Sequence, residues 1–402
     1  MSGSSERKVY YAYSKAYSQC CDAFEKEPYR SSTVHALIYA YGLFPRLICF
    51  APKPATITDL AQFHSSSYLN YLAAKCAVSS NSDDENDDDK NADWETFGLS
   101  FDCPLKTGLL SYMRLVAGAT IACAAALVSR EAEVAVNWGG GWHHARADAA
   151  AGFCYVNDCV LGILKLREAF QRVLYLDLDA HHGDAVQDAF ITTDKVLCVS
   201  FHMKEPGFYP GTGDQSEEGL GRGRGYNLNV PLRQGLSDAQ WIRLNAALLP
   251  VIKQSFQPNA VVLQCGADGL SRDPMESFNL TPESLLSSVD TVLAWNLPLL
   301  VLGGGGYHRT NVARCWTQIT ARLSGLTLIP EDIPEHALLP HYGPDYSLAI
   351  SPGRLPNKNS ESYLNEIVAN SMRTLHRIGA DQGAKFVIQK CVDFVARELD
   401  CK

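Results

Sequence analysis

Two aspartates and a histidine alternate at the end of a short apolar segment in the middle of the chain. The stretch 172–184 reads RVLYLDLDAHHGD, and its first half has the Val, Leu and Tyr content of a buried strand. Because side chains alternate along a strand, Asp177, Asp179 and His181 project from one face. Buried carboxylates are costly without a cation, and ligands of this kind suit zinc, while imidazole also suits iron and nickel. A polar strand end at the surface is the alternative that this stretch alone leaves open.

Titratable residues also follow three other apolar segments of the chain. Segment 134–138 leads into GGGWHHA with His143 and His144, and segment 260–265 leads into GADGLSRDP with Asp268. Segment 299–304 leads through four glycines to Tyr307. The carboxyl ends of parallel strands lie at one edge of a sheet, where binding sites of such folds are found. The sequence therefore predicts a catalytic site at this edge.

The residue types suggest a division of labour at that site. Asp179, His181 and Asp268 supply three ligands and leave a position open for water, as a catalytic zinc requires, and the metal lowers the pKa of that water. The tandem His143 and His144 offer a general base and a general acid near neutral pH. Asp177 and Asp184 are suited to orient the two imidazoles. Tyr307 can stabilise a developing oxyanion. His182, on the opposite face, is expected to have a structural role.

The elements that must position these residues alternate between strands and helices. Apolar segments at 9–13, 134–138, 173–179, 196–201, 260–265 and 299–304 predict strands. Helical patterns cover 31–43, 58–78, 108–130, 160–170, 184–190, 238–256, 282–295 and 311–323. Continuous apolar strands separated by helices favour a single α/β domain with a central, mostly parallel β-sheet flanked by helices on both faces. Its active site is expected at the C-terminal ends of the strands.

Composition indicates a globular intracellular protein. Of the 402 residues, 46% are apolar and 20% charged, and 13 cysteines without a C-x-x-C pair favour free thiols in a reducing compartment. The net charge is −9, of which residues 83–95 carry −7 with eight acids and one lysine, so −2 remains for the rest. A near-neutral body predicts no direct binding to nucleic acid, and no apolar run predicts a membrane span. We expect one domain over 1–402, with an acidic surface insert at 79–93 and a C-terminal helical segment at 357–402.

Six motifs resemble those of the zinc-dependent histone deacetylases of class I, which have the arginase/deacetylase fold. These are NWGGGWHHA, GFCYVND, DLDAHHGDAVQDAF, PGFYPGTGD, GADGLSRDP and GGGGYH. The similarity runs in order from about Tyr10 to about Pro352. Trp142, Met275 and the absence of a long charged tail are most similar to the histone deacetylase 8 type.

The resemblance implies a role for each matching residue. Zinc ligands fall on Asp179, His181 and Asp268, and the base on His144, backed by Asp184, beside His143, backed by Asp177. Tyr307 polarises the acetyl carbonyl. The other implied sites are an acyl-lysine tunnel (Gly152, Phe153, Phe208, Met275), a rim residue for the substrate backbone (Asp102), an arginine beneath the acetate-release cavity (Arg30), a first monovalent cation site (Asp177, Asp179, His181, Ser200, Phe201) and a second (Phe190, Thr193, Val196, Tyr226).

The resemblance also implies an activity. We expect a metal-dependent amidohydrolase that hydrolyses acetyl-lysine to lysine and acetate, with Zn²⁺ or Fe²⁺ at the catalytic site, K⁺ or Na⁺ at structural sites, and a part in chromatin and transcription regulation. Its expected substrates are acetylated proteins such as histone tails; we expect a monomer in the nucleus, the cytoplasm or both. Three alternatives stay open: an acetylpolyamine amidohydrolase, a catalytically weak corepressor scaffold and a two-manganese arginase-like hydrolase, which the His143 and His144 pair disfavours.

Overall fold

The structure, a computed structural model, describes residues 7–78 and 93–381. Of the predicted acidic insert at 79–93, all but residue 93 lie outside the described residues, as does the end of the C-terminal segment, 382–402. The strands are β1 (Val9–Ala12), β2 (Ile48–Phe50), β3 (Val134–Asn137), β4 (Val173–Asp177), β5 (Val196–Met203), β6 (Asn227–Leu232), β7 (Ala260–Gln264) and β8 (Leu299–Leu302).

These eight strands form one sheet in the order β2-β1-β3-β8-β7-β4-β5-β6, and every neighbouring pair is parallel. The α/β prediction with a central parallel sheet is thus confirmed. Every residue of β3, β4, β5, β7 and β8 is buried, which explains their unbroken apolar patterns.

Helices cover both faces of the sheet and form two apolar cores with it. Their ranges are α1 (Lys15–Phe24), α2 (Arg30–Ala40), α3 (Ile57–Leu60), α4 (Ser66–Val78), α5 (Asp93–Thr96), α6 (Leu109–Val128), α7 (Asp158–Arg167), α8 (Asp184–Phe190), α9 (Asp238–Phe256), α10 (Pro282–Leu293), α11 (Arg309–Leu323) and α12 (Glu361–Asp381). The last, α12, lies within the 357–402 segment and packs on α9 and β6.

The sequence patterns did not predict the two edge strands, and they predicted one helix where the structure has two. Ile48 in β2 is 44% exposed, and β6 alternates asparagine with apolar residues and contains Pro231, which an edge strand tolerates. The single helix predicted over 58–78 is instead α3 and α4. A capping box between Thr56 and Asp59 begins the first, and Ser65, whose amide donates to the carbonyl of Ala147, lies in the break.

Helix α6 is long and apolar enough to cross a membrane by length and composition alone. However, 61% of its most apolar stretch is buried inside the protein, where α6 packs against α7 and β3. Core helices of soluble proteins have the same composition, so one such helix is weak evidence for a membrane span.

Candidate metal centre and active site

Asp179, His181 and Asp268 meet at the carboxyl ends of β4 and β7. One potential ligand atom from each lies within 4.8 Å of the others, and all three residues are buried. The Nδ1 atom of His181 lies 2.7 Å from Oδ2 of Asp268 and 3.2 Å from Oδ1 of Asp179. The adjacent pairing of β4 and β7 explains why residues 89 positions apart in sequence come together here. The geometry thus brings together the three residues that the sequence singled out as metal ligands.

Backbone and amide donors fix both carboxylates. Oδ2 of Asp179 accepts from the amide of Gly305 at 2.8 Å and from Nε2 of Gln264 at 2.9 Å, and Oδ1 of Asp268 accepts from the amide of Ala180 at 2.8 Å. Sequence reasoning missed Gln264, although a lone polar residue at the end of apolar β7 was a usable signal. Such outer contacts hold ligand oxygens in place for a metal.

The charge balance of this cluster fits a cation. Asp179 and Asp268 are 1% and 0% exposed, and no lysine or arginine in the described part of the chain forms an ion pair with either. Burial raises the pKa of Asp268, and the neighbouring Asp179 raises it further, to about 6. Burial lowers the pKa of His181, but Asp268 and Asp179 outweigh it and raise the pKa to about 10. In the protein without metal, a proton on His181 thus supplies the charge that a metal ion would replace.

The tandem histidines each have a carboxylate behind them. The Nδ1 atom of His143 lies 2.7 Å from Oδ2 of Asp177, which also accepts from the Tyr175 hydroxyl at 2.7 Å. The Nδ1 atom of His144 lies 2.8 Å from Oδ1 of Asp184. In each imidazole the carboxylate contacts Nδ1, and Nε2 is the other ring nitrogen.

The surroundings of the two imidazoles shift their pKa values in opposite directions. Burial lowers the pKa of His143, but Asp177 and Asp179 outweigh it and raise the pKa to about 9. Burial and the neighbouring His143 lower the pKa of His144 to about 3, against the opposing pull of Asp184. These shifts favour a neutral His144, which can accept a proton, and a charged His143 beside it.

The glycine loop that leads to Tyr307 passes directly over the ligands. A Cβ atom at Gly305 would lie 2.3 Å from Oδ2 of Asp268, and Gly304 and Gly306 have φ values of +127° and +133°. Only glycine accommodates this approach and these angles. Beneath the loop, Nη1 of Arg30 donates to the carbonyls of Gly304 at 2.8 Å and Gly306 at 3.1 Å.

Arg30 is buried and charge-compensated. Its Nε donates to Glu25 at 3.1 Å, and these side chains are 2% and 1% exposed. The guanidinium lies over the rings of Trp142 and Trp316, and its Nη2 is a buried donor without a partner in the described residues. Sequence reasoning missed Glu25, because nothing local distinguishes it from the surrounding charged residues.

Aromatic rings surround the approach to the ligands. Phe208 stacks on His181 with ring centroids 4.7 Å apart, and Phe153 meets Tyr307 edge to face at 5.7 Å. Tyr209, which sequence reasoning passed over, lies edge to face with His144 at 4.9 Å. A Cβ atom at Gly152 would lie 2.6 Å from the His144 ring and 2.9 Å from Tyr209, so glycine keeps this space open.

The rim of the approach carries an exposed carboxylate. Oδ2 of Asp102 accepts from the amide of Gly152 at 2.9 Å. A groove of about 650 Å³ lies beside it, lined in part by Phe153 and Lys26. Met275 is half-buried, and its amide donates to Oδ1 of Asp273 at 3.0 Å.

The residues of the two implied monovalent sites lie around β5. For the first, Asp177 and Ser200 are register partners on β4 and β5, and Phe201 follows, buried. For the second, the amide of Thr193 donates to the carbonyl of Phe190, and the carbonyl of Tyr226 accepts from the amide of Cys198, two residues after Val196.

His182 contacts neither Asp179 nor Asp268 through its ring nitrogens. The predicted strand over 173–179 ends at Asp177, so Asp179, His181 and His182 lie in the loop that follows β4 and not on alternating faces of a strand. The Nδ1 atom of His182 lies 2.8 Å from the hydroxyl of Thr212 and its Nε2 2.9 Å from Oε1 of Gln187. These contacts connect α8 to the loop that carries Phe208 and Tyr209. The eleven described cysteines are free thiols.

Comparison with known proteins adds independent evidence. The model of the histone deacetylase domain matches residues 25–323. The chain is 47% identical over 372 residues to histone deacetylase 8 of Danio rerio, which covers 92% of this chain and 96% of that protein. It is 48% identical over 359 residues to histone deacetylase 8 of Xenopus tropicalis, and that alignment covers 89% of this chain and 95% of the relative. It is 41% identical over 341 residues to histone deacetylase 1 of Homo sapiens, and that alignment covers 85% of this chain and 69% of the relative.

Proposed function

The chain belongs to the histone deacetylase family and is a metal-dependent lysine deacetylase, and on that premise we propose which residues carry out the reaction. Asp179, His181 and Asp268 hold one zinc ion, with Fe²⁺ as the alternative that mixed oxygen and nitrogen ligands allow. When bound, this ion lowers the pKa of a water molecule and polarises the acetyl carbonyl. The buried, cation-deficient carboxylates support this assignment.

His144 is the general base. Its Nε2 accepts a proton from the attacking water while Asp184 holds Nδ1 at 2.8 Å. A neutral imidazole is required for this step, and burial favours the neutral form of His144. The proton then passes from the histidine pair to the nitrogen of the leaving lysine as the amide bond breaks, and acetate and free lysine result.

Tyr307 donates a hydrogen bond to the oxygen of the acetyl group. Burial and the charges of Asp268 and Asp179 keep the pKa of its hydroxyl well above the usual value, so the hydroxyl stays protonated and can donate. His143, charged beside the site, stabilises negative charge that develops on that oxygen.

The substrate is a neutral acetyl-lysine side chain presented by a protein. Gly152, Phe153, Phe208 and Met275 form an apolar passage for its methylene stem, with Tyr209 as a further wall residue, and Asp102 holds the substrate backbone at the rim. The aromatic contacts of Phe153 and Phe208 with Tyr307 and His181 support such a passage. Arg30 lies on the far side of the glycine loop, where its Nη2, which has no hydrogen-bond partner among the described residues, suits the departing acetate.

The wider assignments follow from the family. We propose histone tails and other acetylated proteins as substrates, K⁺ or Na⁺ at the two sites around β5, and action in the nucleus, the cytoplasm or both. The protein is proposed to act as one domain over 1–402 and as a monomer.

One observation supports the assignment of the catalytic residues: three buried residues suited to bind a metal lie beside two histidines whose Nδ1 atoms each contact a buried carboxylate. Acetate release from an acetyl-lysine peptide and from acetylspermidine tests the substrate. We expect faster release from the peptide. Faster release from acetylspermidine would identify a polyamine deacetylase instead, and release from neither, with metal bound, would identify a scaffold.

A further inference from the structure

Asp273 is a buried acidic residue with no role in the proposed reaction. It lies between Asp268, proposed as a metal ligand, and Met275, proposed as a wall of the substrate passage. It is 4% exposed, and within residues 7–78 and 93–381 no lysine or arginine forms an ion pair with it. Burial and the neighbouring Asp268 raise the pKa of Asp273 to about 7. A buried polar group is costly without hydrogen-bond partners, so specific contacts must hold it there.

Those contacts are two backbone amides from different loops. Oδ2 of Asp273 accepts from the amide of Tyr307 at 2.7 Å, and Oδ1 accepts from the amide of Met275 at 3.0 Å. One rigid side chain thus connects the backbone of the proposed oxyanion donor with the backbone of the passage wall. Because both bonds end on the same side chain, this connection restricts both loops.

The backbone around Asp273 is strained in a way that such a connection can sustain. Arg272 and Glu276, on either side of it, have φ values of +68° and +50°, in the left-handed region that favours glycine. Non-glycine residues keep this conformation where surrounding contacts determine it. The two bonds of the Asp273 carboxylate are contacts of that kind.

The glycine loop is therefore fixed from two directions. Arg30 binds the carbonyls of Gly304 and Gly306 from below, and Asp273 binds the amide of Tyr307 from the side. We propose that Asp273 is a positioning residue that sets the place of the Tyr307 hydroxyl relative to the acetyl carbonyl. The inference rests on the proposed role of Tyr307 in deacetylation.

A double-mutant cycle in the full-length, metal-loaded protein tests it. The wild type, Asp273→Asn, Tyr307→Phe and the double variant are compared by kcat and KM for acetate release from an acetyl-lysine peptide. We expect Asp273→Asn to lower kcat about tenfold or more, since a displacement of about 1 Å can cost up to about 100-fold. In the Tyr307→Phe background the same substitution should cost little, because the group that it positions is already gone. Equal losses in both backgrounds, or no loss in the wild-type background, would overturn the proposal.

Asp238→Asn is the matched control for a purely structural loss. Asp238 also accepts a backbone amide, that of Thr281 at 2.8 Å, but it lies on α9, and among the described residues its hydrogen bonds connect it to Thr281 and Ser284. We expect this variant to lose stability and to keep the wild-type kcat. If Asp273→Asn cannot be purified, Asp273→Ser takes its place in the cycle.

A second readout does not depend on turnover. In ¹⁵N-labelled protein, the Tyr307 amide proton should shift upfield in Asp273→Asn, since asparagine offers a single amide oxygen to the two backbone amides that Asp273 binds. An unchanged resonance would overturn the proposal. Wild-type protein that releases no acetate would instead refute the proposed function, whatever the resonance does.

Discussion

The rings of His143 and His144 lie with centroids 4.0 Å apart, yet their surroundings move their pKa values in opposite directions. The charge of His143 is one reason that His144 stays neutral, since two adjacent imidazolium ions would repel each other. Asp177 raises the pKa of His143, whereas Asp184 opposes the lowering of the pKa of His144 and holds that ring through Nδ1. This difference supports the proposal that His144 is the base and that His143 is its cationic neighbour.

His144→Ala should remove the general base. We expect kcat to fall by about 100- to 10,000-fold, the usual contribution of a positioned proton acceptor, while the metal content stays that of the wild type. Steady-state kinetics with metal analysis measure both. His376→Ala, an exposed histidine on α12, is the control. Wild-type turnover in His144→Ala with metal bound would contradict the assignment.

Tyr307→Phe should remove the hydroxyl and leave the ring in place. Loss of one donor to a developing oxyanion costs about 100- to 1,000-fold in kcat, and we expect KM to change far less. Tyr39→Phe, at a tyrosine that is 74% exposed, controls for loss of a phenol elsewhere. If Tyr307→Phe cost nothing, another group would have to stabilise the acetyl oxygen.

Glu25→Gln should remove the counter-ion of Arg30 and leave its guanidinium group more able to bind the product acetate. Breaking a buried ion pair by removing one partner lowers the free energy of unfolding by about 3 to 5 kcal/mol. We expect a loss at the lower end of this range, because the amide oxygen of the new glutamine can still accept from Nε of Arg30. Acetate should also inhibit this variant at lower concentrations, because no carboxylate competes for the guanidinium. Urea denaturation and inhibition by added acetate measure the two effects.

Asp290→Asn provides the exposed counterpart of that change. Asp290 and Arg322 also lie 3.1 Å apart, but their side chains are 45% and 27% exposed. An exposed pair contributes about 0 to 1 kcal/mol, so little stability should be lost and acetate inhibition should not change. Equal acetate inhibition of Glu25→Gln and the wild type would argue against an acetate site at Arg30.

Buried neutral histidines should make the fold sensitive to acid. Burial lowers the pKa of His35 to about 3 and that of His64 to about 4, whereas unfolded histidines titrate near about 6.5. Between these values the unfolded chain binds more protons, so the free energy of unfolding falls as pH falls below about 6.5. Each histidine contributes up to about 1.4 kcal/mol per pH unit in that range.

His35→Asn isolates one of these contributions. Asparagine can still accept from the Tyr11 hydroxyl, which lies 2.9 Å from Nδ1 of His35. Urea denaturation of wild type and variant between pH 7 and about pH 5 should give a slope that is smaller by about one proton in the variant. Identical slopes would show that His35 does not titrate in this way.

Much of the architecture could be predicted because the central strands are continuous apolar segments, and the site could be predicted because its residues follow those strands. His181 and Asp268 were recognisable from glycine-rich strand ends. The edge strands were not recognisable, since β2 is exposed and β6 alternates polar with apolar residues. Glu25, Gln264 and Asp273 act through contacts with distant backbone or side chains, and no local pattern encodes such contacts.

The most direct test of the central claim is the metal content of the purified protein, measured together with acetate release from an acetyl-lysine peptide before and after chelation. We predict one divalent ion per chain, release that chelation abolishes and zinc restores, and loss of both ion and release in Asp268→Asn. Binding should also release about one proton, because His181 must lose the proton that it carries without metal. Acetate release that persists in fully metal-free protein, or a wild-type chain that binds no divalent ion, would contradict the account.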